Sequence, residues 1–427
     1  MRIGPRPALA CLAPLLPMIL ALAAAPASGG PPGPADTVVV LLFDGAPRSV
    51  LDLAPTPALD RMRREGAATD RMLPAFPSIS LINGVTVSTG CWPERHGIVT
   101  NKFLDPERGL YDHSRDADWL TGCEHLHVAA ERQDVAAAVL GWYGAHSGTN
   151  GPLASVVVDE ADWRARPDDP TRARQVAEQL ARSDDARPRL ILAYFNGPDG
   201  AQHFEGMDSE AARAAAAAMD EAVGIVLTAV EASPNAGRTA LLVTTDHGMV
   251  PVTHLVNIQR ILLRHEIPAR AVSTGTTSFL YFDDPAAVEP AARKLASYEA
   301  FEVLRRDALP DYARLGTGPR VADLIVSAHP PHFIEDAESW PSWLRWLGRW
   351  GPDISWAGPF LKASHGYPPE TPGMAGILYA WGAGVAQGRA VAEARAVDVH
   401  ATVMHLLGLE PGSPQDGRVA REFLAQP

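Results

Sequence analysis

Residues 37–45 read Thr37-Val38-Val39-Val40-Leu41-Leu42-Phe43-Asp44-Gly45. A run this apolar, without polar alternation, fits a strand covered on both faces, as in a parallel sheet. The arrangement recurs twice. The run from Arg189 to Phe195 ends just before Asp199, and the run from Ala240 to Thr245 ends at Asp246-His247-Gly248. Between these runs the spacing of apolar residues predicts helices from Pro57 to Glu65, from Pro170 to Arg182 with Asp169 as N-cap, and from Asp208 to Ala232. Alternating strands and helices imply an α/β fold, with a mostly parallel central sheet and helices on both faces. Ligands bind such sheets beyond the carboxyl ends of the strands, where Asp44, Asp199 and Asp246 fall.

Outward from this centre, the first 27 residues carry Arg2 and Arg6, an apolar run and Ala25-Pro26-Ala27, the form of a cleaved secretory signal. An uncleaved anchor is the alternative, although Pro14 and Pro17 interrupt the run. No later stretch is long and apolar enough to span a membrane. Export to the periplasm or the medium is therefore expected. Residues 28–36 are rich in Gly and Pro and read as a linker. The catalytic α/β domain then covers 37–272 and 359–427. Residues 273–358 are an inserted small cap subdomain, with a strand from Thr277 to Phe282 and a helix from Pro285 to Tyr298. Five of the ten tryptophans, Trp340, Trp343, Trp346, Trp350 and Trp356, crowd into its end. They read either as a helix packed on the body or as a lid or membrane-facing element. Of the three cysteines, Cys11 leaves with the signal. Cys91 and Cys123 remain, compatible with a disulfide or with two buried thiols.

With 46% hydrophobic and 20% charged residues the chain can bury a large core. Its 50 acidic against 37 basic residues, a net charge of -13, exclude a broad basic surface tracking nucleic acid. An anionic substrate has to be drawn in by local charge.

The candidate metal ligands are Asp44, Asp199, His203, Asp246, His247 and His365. Asp199 and His203 stand four apart, so one turn after a strand can aim both at one ion. Asp246 and His247 are adjacent at a strand end before Gly248. His365 arrives late, in Ser364-His365-Gly366-Tyr367. Singly, each reads as well as a cap or turn former. Together they would crowd one crevice with carboxylates unless cations neutralised them. The donor set suits two divalent ions such as zinc, although manganese and iron also accept nitrogen and oxygen ligands.

A nucleophile is offered by Phe76-Pro77-Ser78-Ile79-Ser80-Leu81, ahead of a helical segment from Asn83 to Thr89. Ser80 at a helix N-terminus would face N–H groups that attract phosphate oxygens, or would merely cap the helix. The stretch FPSISLINGVTVSTGCWPERHGIVTN, from Phe76 to Asn101, resembles the signature of the type I phosphodiesterase/nucleotide pyrophosphatase family, within the alkaline phosphatase superfamily. In that pattern the second hydroxyl of the first element is the nucleophile, here Ser80. The terminal Asn, here Asn101, binds the transferred phosphoryl group. The Pro-Asp-x-x-x-His, Thr-Asp-His-Gly-Met and late His-Gly-Tyr elements match as well. By this resemblance one zinc takes Asp199, His203 and His365, and the other takes Asp44, Asp246 and His247.

The resemblance implies an alkaline-phosphatase-like fold and a hydrolase of phosphodiester or pyrophosphate bonds with a phospho-serine intermediate. Asn101 and the amide of Leu81 would hold the phosphoryl oxygens, and the substrate would be a small-molecule phosphate ester. Phosphomonoester, phosphonate or sulfate ester hydrolysis stays open as an alternative, as does, more remotely, a metal-stabilised binding protein without catalysis. The Pro and Arg of a sulfatase element do not follow Ser80. Where nucleotide-cleaving relatives carry a Phe after the nucleophile, this chain has Leu81. Trp142, in Gly141-Trp142-Tyr143-Gly144, lines the pocket or sits in the core. An aliphatic wall with a Trp implies weak nucleobase discrimination and suits a small or lipid-like leaving group.

Overall fold

The computed structural model describes residues 33–113, 119–143, 151–160, 165–335 and 350–426, with Met1 and Gly4. The signal peptide and Trp340, Trp343 and Trp346 lie outside the described residues. The central sheet comprises β1 (Thr37–Phe43), β2 (Ala67–Leu73), β3 (Ala137–Leu140), β4 (Val156–Val158), β5 (Leu190–Phe195), β6 (Thr239–Thr245) and β7 (Gly376–Gly382). Starting from a short edge strand, Arg389–Ala390, their order is β2-β7-β6-β1-β5-β3-β4. β1 runs parallel to both β5 and β6, and β3 runs parallel to β4 and β5. Among these seven strands β7 opposes its neighbours.

The unbroken apolar run of β1 has a direct cause. Val38, Val40 and Leu42 enter one core with the helix α6 (Asp398–Leu407), whereas Val39, Leu41 and Phe43 enter another on the opposite face. That second core is closed by α1 (Pro57–Glu65), α3 (Asp169–Leu180) and α5 (Glu210–Ala232). Helices therefore cover both faces, as the sequence predicts.

Several boundaries move. Asp168, not Asp169, caps α3, its carboxylate accepting from the Thr171 N–H at 2.7 Å. α5 opens at Glu210 with Ser209 as its cap. The helix expected from Asn83, α2, spans Ser80–Thr89 and so includes Ser80 itself. The end of the expected linker is packed: Ala35 is buried and donates to the Leu406 carbonyl, and Asp36 donates to that of Arg238.

A second sheet of four antiparallel strands is formed by Ala269–Thr274, Thr277–Phe282, Leu324–Ala328 and Phe301–Arg305, in that order. The division drawn at 272/273 runs through its first strand. Phe279, Leu304 and Ile325 on one face share a core with Phe76, Leu81 and Val85, so this sheet buttresses α2. Trp350 and Trp356 are exposed. No helix among the described residues is long and apolar enough to cross a membrane.

Candidate active site

The parallel strands β1, β5 and β6 end on one side of the sheet, and the chain turns sharply after each. Asp44 follows β1, Asp246 and His247 follow β6, and the loop after β5 leads into α4 (Asp199–Glu205), which carries Asp199 and His203. Two of these turns touch. A Cβ on Gly197 would lie 2.2 Å from the Asp44 carbonyl oxygen, and one on Gly45 would lie 2.8 Å from the Asp199 Cβ. Both glycines also have positive φ, +56° and +61°, which other residues adopt at a cost. Glycine here lets two acid-bearing loops share one crevice.

The six expected ligands form two triads. Asp199, His203 and His365 place one ligand atom each within 4.8 Å of one another, and so do Asp44, Asp246 and His247. This is the partition the family resemblance implies. Within the triads, Asp199 Oδ1 lies 3.3 Å from His203 Nε2 and 3.6 Å from His365 Nε2. Asp44 Oδ1 lies 3.4 Å from His247 Nε2. The imidazoles of His247 and His365 stack at 3.7 Å, which sets the triads side by side.

Each histidine is fixed by the ring nitrogen it does not offer. Nδ1 of His203 lies 2.8 Å from the Ala363 carbonyl, that of His247 2.9 Å from Gly248, and that of His365 3.0 Å from Ser78. A carbonyl only accepts, so each Nδ1 carries a proton and each Nε2 is the nitrogen turned toward the carboxylates. Backbone carbonyls holding the remote N–H are the usual support of a metal-binding histidine.

The electrostatics lead the same way. Burial, followed by the charges of Asp246 and Asp199, pushes the Asp44 carboxyl well above the usual range, and burial also raises Asp246. Burial acts to raise Asp199 too, but the charge of His203 beside it holds it well below normal. His365 is pushed far down by burial and by His247. Asp199 Oδ1 and Asp246 Oδ2 are buried without a hydrogen-bond partner among the described residues. Orphaned carboxylate oxygens facing the Nε2 atoms of three imidazoles fit two divalent cations.

Ser80 opens α2 beside the second triad. Its hydroxyl lies 3.2 Å from Asp44 Oδ1 and 3.1 Å from His247 Nε2. The first i to i−4 bond here runs from the Asn83 N–H to the Ile79 carbonyl, so the N–H groups of Ser80, Leu81 and Ile82 precede the helical ladder. Asn101 lines a cleft of about 240 Å³ with Ile79, Lys102, Thr274, Phe333 and His365, and its side-chain oxygen is buried without a partner among the described residues.

The family model for type I phosphodiesterase / nucleotide pyrophosphatase matches residues 38–368. The chain belongs to this family. A human relative, ectonucleotide pyrophosphatase/phosphodiesterase family member 7, is 24% identical over 431 residues, covering 95% of this chain and 88% of the relative. An uncharacterized pyrophosphatase/phosphodiesterase of Schizosaccharomyces pombe is 25% identical over 414 residues, covering 89% and 78%. The solved structure of murine ectonucleotide pyrophosphatase/phosphodiesterase 5 matches with a TM-score of 0.79 at 19% identity, over 91% of this chain and all of that one. An inactive variant of the same murine protein, in complex with AMP, gives 0.78. The fold is thus alkaline-phosphatase-like and the chain is a hydrolytic enzyme of the pyrophosphatase/phosphodiesterase class.

For this family member two expected pocket residues are corrected. Trp142 is 2% exposed, and its indole N–H donates to the Gly84 carbonyl at 2.9 Å, bracing α2 from the core. Leu81 is 8% exposed and turns into the cluster shared with the second sheet. Neither side chain lines the cleft that holds Asn101. Tyr194, which sequence reasoning missed, donates a short hydrogen bond to Asp44 Oδ2 while Arg166 lies 4.5 Å over its ring. The signal was available in its parity: Tyr194 shares a face of β5 with Leu190 and Leu192 and ends that row with a hydroxyl.

Proposed function

We propose that this chain is an exported hydrolase of phosphodiester or pyrophosphate bonds in which Ser80 attacks phosphorus at a two-metal centre. The observation that carries the reading is the hydroxyl of Ser80, seated at a helix head between Asp44 and His247, with a second triad alongside. Asp199, His203 and His365 would hold one ion, and Asp44, Asp246 and His247 the other. Zinc fits this donor set. The ions would neutralise the carboxylates, polarise the phosphoryl group and acidify bound hydroxyls.

Ser80 forms the new O–P bond as the bond to the leaving group breaks, its proton ending on the departing oxygen, which gives a phospho-serine that keeps the second ester group. Water then attacks phosphorus from the opposite side, one of its protons returning to Ser80 as the phosphate monoester departs. The N–H of Leu81, at the positive end of α2, and the amide of Asn101 are the donors for the equatorial oxygens. Lys102 and Phe333 border the cleft in which the leaving group would lie. A small-molecule phosphate ester suits a cleft of this size, and the AMP complex of the murine relative supports a nucleotide among the candidates. The leader with Arg2 and Arg6 supports export, and so does the disulfide joining Cys91 to Cys123, which persists in oxidising compartments.

Ser80→Ala, assayed with a chromogenic phosphodiester in the presence of zinc, tests the mechanism. It should keep fold and metal while losing at least about a hundredfold in rate, the scale on which positioned catalytic groups act. Acid quench of the wild type should trap phosphate on Ser80. Unchanged turnover in the variant would remove Ser80 from the mechanism.

A further inference from the structure

Asp169 occupies the first turn of α3, where an acidic residue ordinarily serves the helix itself through a cap or through the dipole. That task is already filled, because the carboxylate of Asp168 takes the Thr171 N–H. Asp169 turns away from its own helix. Its Oδ1 accepts from the Asn196 N–H at 2.9 Å and its Oδ2 from the Gly197 N–H at 3.1 Å. The Asn196 side chain adds a third tie, donating from Nδ2 to the Pro167 carbonyl at 2.9 Å. The carboxylate is 6% exposed, so both oxygens are spent on one loop rather than on water.

That loop carries the crevice. Gly197-Pro198 leads directly into Asp199, and the Gly197 backbone rests on the Asp44 backbone at a distance that excludes even a methyl group. Successive N–H groups held by one buried carboxylate fix both the path and the height of the segment that presents Asp199. A loop displaced outward there would separate Asp199 from Asp44 and pull the two triads apart.

We propose that Asp169 is a positioning residue for the metal centre: it holds the loop after β5 so that Asp199 meets His203 and His365 beside Asp44. This rests on the reading of Asp199 as a metal ligand. Asp169→Asn keeps size but offers one carbonyl oxygen for two N–H donors, with its amide group facing the second. Pinning is lost while the helix cap at Asp168 stays.

The test is zinc affinity, measured by competition with a chromophoric chelator on protein first stripped of metal, for the wild type and four variants. Asp169→Asn should weaken one of two ions by about tenfold to hundredfold, the range found when the groups supporting a metal ligand are removed. Asn196→Ala, which cuts only the tie to Pro167 and leaves the fold intact, should weaken the same ion less. Asp168→Ala should lower the melting temperature through the lost helix cap and leave both affinities alone. Asp199→Ala should abolish one ion outright. Two ions at wild-type affinity in both Asp169→Asn and Asn196→Ala would overturn the inference, as would an equal loss in Asp168→Ala. Two ions retained in Asp199→Ala would instead overturn the ligand assignment on which it rests.

Discussion

Each of the three histidines of the site has Nδ1 committed to a backbone carbonyl, which leaves Nε2 to face the acids. For His365 the committed contact is to Ser78, two residues before Ser80, so this ring joins the late part of the chain to the Ser80 loop as well as to Asp199. His365→Ala is expected to lower bound metal to roughly one ion and to reduce turnover tenfold to hundredfold or more. Metal analysis beside a phosphodiester assay checks this. Two retained ions with normal turnover would transfer the role to a histidine such as His254 or His329. These identities were legible in the sequence because few residue types bind such ions and because they stood at strand ends. Trp142 and Leu81 were not. Whether an apolar side chain walls a pocket or fills a core depends on what packs over it, and for Leu81 the cover comes from Phe279 and Ile325, far along the chain.

Helix α2 shows how one element is placed without a polar cap. Ile79 stands at the N-cap position and makes no side-chain cap bond. Asn83, one turn in, takes over: its Oδ1 accepts from the Ala75 N–H at 2.7 Å, and its Nδ2 donates to the Ala75 and Ile79 carbonyls at 3.3 and 3.1 Å. The loop before Ser80 is thereby tied to the helix that Ser80 begins. The helix start read from sequence, Asn83, falls three residues late for the same reason: the usual cap signal is absent, and the polar residue that organises the turn lies inside it. Asn83→Ala leaves buried backbone groups unpaired, at about 1–3 kcal/mol each. The expected outcome is a clear fall in urea resistance together with a lower kcat, since Ser80 loses its fixed approach to Asp44 and His247. A fall in stability with kcat unchanged would show that the loop holds its course without Asn83. The three central strands read from the sequence, by contrast, were legible to within a residue, because a continuous apolar run of six or seven residues ending at a turn is too short for a buried helix and fits a strand covered on both faces.

Across the whole molecule, histidine also sets how the fold answers acid. Outside the site, His96, His127 and His400 are buried, and burial holds them down to about 3, about 4 and about 4. His96 is locked neutral, its Nδ1 accepting from the Ile98 N–H and its Nε2 left to donate to Thr86. Neither nitrogen of His127 has a hydrogen-bond partner among the described residues. An unfolded histidine titrates near 6.5. Above that pH neither state binds the proton and these residues cost nothing. As pH falls below 6.5 the unfolded chain takes up protons that the folded chain refuses until about 4 or 3, so stability declines through that window. Each histidine contributes up to about 1.4 kcal/mol per pH unit there, and three such slopes are large against a stability of about 5–15 kcal/mol. Release of any metal held by the site histidines would fall in the same range, so the measurement belongs on metal-stripped protein held in chelator. Urea unfolding between pH 7 and pH 4.5 should show stability dropping steeply with acid. His127→Leu fills the same space with a group that neither titrates nor asks for a hydrogen bond. It should remove one proton from the linkage and flatten the slope by about 1.4 kcal/mol per pH unit, with little loss at pH 7. An unchanged slope in that variant would mean that His127 takes up its proton in the folded state, and that the protein's acid sensitivity arises elsewhere.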